Sequence, residues 1–137
     1  MKIYAIICTR SRSDITPTTD NLLSFFSKCG IQILLIAGAK SIFKAYNGAF
    51  EKTNATPEDI IIMCHDDIEI RENPEVFVEK LKNALNRDMV AFAGPAGTTY
   101  LSEDAVWWDQ GRWQQGLHKG KVTHINPQNK EYLTYYG

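Results

Sequence analysis

A chain of 137 residues, 44% hydrophobic and 23% charged, holds enough apolar material for one domain with a real core. Its net charge of −1 excludes the clustered cationic excess of a nucleic-acid surface, and Lys2, Arg10 and Arg12 are too sparse to supply one. No apolar run approaches the ~20 residues that span a bilayer, and three cysteines without metal-like spacing (Cys8, Cys29, Cys64) are expected to be reduced and buried, as in a cytoplasmic protein.

The opening run KIYAIIC (2–8) is continuously apolar, as in a strand buried on both faces, and lacks the small-residue cleavage site of a signal peptide. Thr18, Thr19 or Asp20 is expected to cap a helix that buries Leu22, Leu23, Phe25 and Phe26 and ends near Gly30. IQILLIA (31–37) predicts a second buried strand. Ser41 then caps a helix with Ile42, Ala45, Tyr46 and Ala49 on one face. A third strand covers 59–64. Asn73 and Pro74 form an N-cap followed by proline at the first helical position, and the helix buries Phe77, Leu81, Ala84 and Leu85. MVAFAG (89–94) is expected as a fourth strand. This alternation predicts an α/β fold with a Rossmann-like, mostly parallel sheet and helices on both faces.

From Gly94 the chain becomes rich in glycine and carries Trp107, Trp108 and Trp113 without a long helical period. It is expected to form loops with short antiparallel strands around VWW (106–108) and KVTHI (121–125). No linker composition separates it, so residues 1–137 are expected as a single domain: a βαβαβαβ half over 1–94 and a loop-rich half over 95–137.

The third strand runs directly into His65-Asp66-Asp67. Adjacent carboxylates repel each other and require water or a cation. In open parallel sheets ligands bind outside the carboxyl ends of the strands, and a hard divalent cation takes oxygen ligands while leaving positions for phosphate oxygens. The bland alternative is a solvated turn. Receiver domains and haloacid-dehalogenase-type phosphatases place their aspartates after the first strand, whereas here that strand ends in Cys8-Thr9-Arg10-Ser11. Neither G-x-G-x-x-G nor G-x-x-x-x-G-K-[ST] occurs, so dinucleotide and P-loop readings lack a phosphate cradle.

Ser41, Ile42, Ala45, Tyr46, Asn47 and Ala49, then His65-Asp66-Asp67-Ile68, then GPAGT (94–98) and Trp107-Trp108 form an ordered series. It resembles family 2 glycosyltransferases of the GT-A fold, in particular the glycosyltransferase-like proteins related to a streptomycin-biosynthesis protein. The resemblance implies a nucleotide-diphosphosugar donor, a saccharide or small-molecule acceptor and a divalent metal, Mn²⁺ or Mg²⁺. It places Asp67 as direct metal ligand and His65 and Asp66 in the nucleotide-sugar site, with Asp66 reaching ribose, sugar, metal or a metal-bound water. Thr9, Arg10 and Ser11 would hold the nucleoside and Asn47 the donor phosphate or sugar. Glu103, Asp104 and Asp109 are the candidate general bases, His124 a late metal ligand, and Trp107 and Trp108 stacking platforms for a sugar. The sequence departs from the family at Ala37-Gly38-Ala39-Lys40, where many members carry a base-recognising acid. Tyr46 stands where an arginine often precedes the asparagine, and 95–137 is short for an acceptor half. A non-catalytic nucleotide- or sugar-binding relative therefore stays open beside the transferase.

Overall fold

The computed structural model describes residues 1–11, 13, 15–98 and 116–136. The chain divides into two compact units, Met1–Asn83 and Ala84–Gly137, with the division inside the third helix.

The first unit is built on a parallel sheet. β1 (Ile3–Thr9) lies between β2 (Gln32–Ala37) and β3 (Ile60–His65), in the order β2-β1-β3. The register aligns Ala5 with Ile33 and Ile62, and Ile7 with Leu35 and Cys64. Successive side chains alternate between faces, so these six residues share one face. Leu22 and Phe26 of α1 (Pro17–Lys28) pack there with Phe77 of α3 (Pro74–Leu85). Phe25, Phe26 and Phe77 meet edge-on or tilted, at centroid separations of 5.3 to 6.2 Å. α2 (Ile42–Thr53) packs against β1 and β2, and its Tyr46 reaches Cys8, a residue of the opposite face. The expected helices on both faces are present.

Two helix starts match the sequence reading. The Ser41 hydroxyl accepts from the Lys44 N–H, and Asn73 Oδ1 accepts from the Glu75 N–H at 2.9 Å with Pro74 following. The first helix begins earlier than expected. Its cap is Thr16, extended at φ −79° and ψ 159°, because Pro17 already has the φ of a first helical residue. α3 buries none of its residues fully; Phe77, Leu81, Ala84 and Leu85 are half-buried. The three cysteines are free and likewise half-buried rather than buried.

The fourth strand expected over 89–94 does not form. Val90 N–H donates to the Arg87 carbonyl in a turn, Met89 takes a left-handed φ of 67°, and Met89 and Phe92 are exposed. The short strand β4 (Ala96–Thr98) comes after that run. It pairs antiparallel with β5 (His118–Ile125), which pairs antiparallel with β6 (Glu131–Tyr136). KVTHI is thus in a strand as expected, whereas VWW lies outside the described residues. The β5–β6 connection is held by Asn126, whose Oδ1 accepts from the Gln128 and Lys130 N–H groups, with Asn129 left-handed at φ 56°. No described helix is long and apolar enough to cross a membrane.

Candidate functional site

The three parallel strands end at one edge. Thr9 pairs with Ala37, and Cys8 pairs with His65, so Thr9-Arg10-Ser11, Gly38 and His65-Asp66-Asp67 leave the sheet together. This is the end of an open parallel sheet at which ligands bind. Gly38 donates its N–H to the Thr9 carbonyl at 3.1 Å and has φ +67°, a conformation costly for a side chain with a Cβ. The bond joins the turns after β1 and β2.

Thr9 is buried, Ser11 is half-buried and Arg10 is exposed. Ser11 Oγ shares a 2.7 Å hydrogen bond with Ser13 Oγ. His65 and Asp67 are exposed, whereas Asp66 is half-buried. The two carboxylates therefore have different surroundings. The charge of Asp66 reaches Cys8, Tyr46 and Cys64, where it helps to raise each pKa. Burial is the main cause in all three: it pushes the Tyr46 hydroxyl up to about 12 and the Cys64 thiol up to about 11. All three side chains are therefore neutral near neutral pH, and no second buried charge competes with Asp66 from that direction.

Two helices bond to the backbone around the acidic pair. The Tyr46 hydroxyl of α2 donates to the Cys64 carbonyl at 2.9 Å. The hydroxyl of Thr19, a fully buried residue of α1, donates to the Asp66 carbonyl at 3.2 Å. Asn47 follows Tyr46 on α2 and is exposed.

Among the described residues no three His, Cys, Asp or Glu groups converge as a closed metal cage. The donors present suit an open site: a small hard cation is commonly held by one or two carboxylates, with phosphate oxygens and waters completing its shell. His124 lies in the second unit, where its ring stacks on Tyr132 across the β5–β6 pair, 5.2 Å between centroids and 17° between planes. Glu103, Asp104, Trp107, Trp108 and Asp109 lie outside the described residues.

The strand-end residues that the fold gathers are those expected from the sequence, whereas Thr16, Thr19, Gly38 and Tyr46 were not expected at the site: Thr19 was a candidate helix cap, Tyr46 a residue of the apolar face of the second helix and of the family-like series, and Gly38 part of the departure at 37–40. Thr16-Pro17 carries the signature of a cap followed by a first helical proline. Nothing in the local sequence of Thr19 or Tyr46 signals a bond to the third strand, which arises only from tertiary packing.

The sequence model of a glycosyltransferase-like family matches residues 7–136. Over 88 residues, 64% of its length, the chain is 27% identical to the streptomycin biosynthesis protein StrF of Streptomyces griseus, and the match spans 30% of that relative. No solved structure matches.

Proposed function

Because this chain belongs to the glycosyltransferase-like family, we propose that it binds a nucleotide-diphosphosugar across the carboxyl edge of its parallel sheet and serves transfer of the sugar to a saccharide or small-molecule acceptor. The convergence of Thr9-Arg10-Ser11 with His65-Asp66-Asp67 at that edge is the observation that carries the reading. A divalent metal, Mn²⁺ or Mg²⁺, held there would offset the charge that grows on the departing nucleoside diphosphate. Asp67, the exposed carboxylate, is the direct metal ligand. Asp66, half-buried and tied to the strand end, orients ribose, sugar or a metal-bound water. Thr9, Arg10 and Ser11 hold the nucleoside, with the Arg10 guanidinium available to an anionic oxygen. Asn47 and His65 contact the donor.

An inverting transfer also needs a carboxylate to take the proton of the attacking hydroxyl. Glu103, Asp104 and Asp109 are the candidates for that base, with Trp107 and Trp108 as stacking surfaces for a sugar ring.

A thermal-shift panel of UDP-, GDP- and dTDP-sugars, with and without Mn²⁺, tests the reading. Donor at about 100 times its Kd should stabilise the fold by roughly 2.7 kcal/mol, only with metal, and Asp67→Ala should abolish the shift. Shifts without release of nucleoside diphosphate over time would identify a binding protein. No shift with any donor would overturn the reading.

A further inference from the structure

We propose that Thr19 and Tyr46 are positioning residues that clamp the backbone of the acidic pair from two helices. This rests on the reading of His65-Asp66-Asp67 as the donor-metal site.

A threonine hydroxyl has one proton and accepts through its lone pairs. Thr19 Oγ1 gives its proton to the Asp66 carbonyl at 3.2 Å. The 2.9 Å bond between Thr16 Oγ1 and Thr19 Oγ1 must therefore be donated by Thr16. Thr16 Oγ1 in turn accepts from the Thr19 N–H at 3.2 Å, the capping bond of α1. The start of α1 and the carbonyl of Asp66 are thus joined through a directed pair of hydroxyls, and Thr19 is fully buried, so water does not replace it.

Tyr46 has the same logic from α2. Its one proton goes to the Cys64 carbonyl at 2.9 Å, and the hydroxyl lies beside the Cys8 thiol, close enough for each group to shift the other's pKa. Tyr46 therefore ties α2 to the end of β3 by a hydrogen bond and packs beside the end of β1. Cys64 and Asp66 flank His65, so the two clamped carbonyls bracket the point at which the chain leaves the sheet. In-strand bonding to β1 fixes β3 as far as His65. Beyond it, the Thr19 bond to Asp66 holds the chain that carries Asp67, which is otherwise exposed. Groups that orient metal ligands in this way commonly change metal affinity by ~10–100-fold when removed.

Amide hydrogen exchange across 65–68 and Mn²⁺ affinity, read from the loss of the free-ion electron paramagnetic resonance signal, would be measured together. The proteins are wild type, Thr19→Val, Thr19→Ser and Tyr46→Phe, all well below their unfolding temperatures. Thr19→Val preserves shape and removes the hydroxyl; Thr19→Ser restores it. The expected result is faster exchange at Asp66 and Asp67 and at least about tenfold weaker Mn²⁺ binding in Thr19→Val and Tyr46→Phe, with Thr19→Ser close to wild type. Unchanged exchange in Thr19→Val overturns the clamp, and faster exchange with unchanged affinity overturns its role in positioning. Absence of Mn²⁺ binding by the wild type would instead overturn the metal reading, and the exchange rates alone would then decide the clamp.

Discussion

At the scale of single residues, the Asp59 carboxylate is firmly engaged in structure. Its Oδ1 accepts from the Lys2 N–H, and its Oδ2 accepts from the Thr56 N–H and hydroxyl at 3.0 and 3.1 Å. These bonds favour the ionised form and hold its pKa below the ordinary carboxylate value, the Thr56 backbone bond contributing most. The folded-state pKa lies below the unfolded one. Its stabilisation is therefore present above the unfolded pKa and is lost as pH falls through the folded pKa. Thermal unfolding against pH should show wild type more stable than Asp59→Asn at neutral pH, with the gap closing in acid. A gap independent of pH would contradict the assignment. In the core, Phe26 is fully buried against Phe25 and Phe77. Phe26→Ala should cost ~3–5 kcal/mol in denaturant unfolding. A loss below ~1 kcal/mol, a small fraction of that range, would mean that the aromatic cluster is not the centre of the core.

At the scale of elements, two glycines should respond oppositely to alanine. Gly48 lies inside α2 with nothing within 4 Å of an added Cβ, so Gly48→Ala should stabilise by ~0.5–1 kcal/mol through helix propensity. Gly120 in β5 has φ +121°, and an added Cβ would sit 2.2 Å from the Pro95 carbonyl and 2.6 Å from the Ala96 Cα. Backbone cannot yield there as a flexible side chain would, so Gly120→Ala should destabilise by more than ~1 kcal/mol and loosen the β4–β5 pairing. Unfolding midpoints and hydrogen exchange at 96–98 would check both. Elements with strong local signals, such as the isoleucine-rich strands and the Ser41 and Asn73 caps, were legible because their determinants are contiguous. MVAFAG was misread because an apolar run records a preference for burial but not a partner strand, and Met89 turns left-handed instead. β6 (EYLTYY) was not anticipated at all; its pairing with β5 depends on the Asn126 turn.

At the scale of the whole molecule, the three-stranded parallel sheet converts a linear pattern into a site. Residues separated by more than fifty positions, such as Arg10 and Asp66, leave the sheet at one edge because β1 and β3 are parallel and in register. The acidic pair itself was visible in the sequence, since it follows an apolar run without a turn-rich spacer. Its supports from Thr19 and Tyr46 were not, because they are tertiary bonds between elements far apart in the chain. The proposed function requires this edge to take a nucleoside diphosphate through a metal held at Asp67. Isothermal titration of UDP, GDP and dTDP into wild type and Asp67→Ala, each with and without Mn²⁺, tests it most directly. Saturable heat is expected from at least one nucleotide with metal present, lost without metal and lost in Asp67→Ala. Binding that survives both losses, or no binding under any condition, would contradict it.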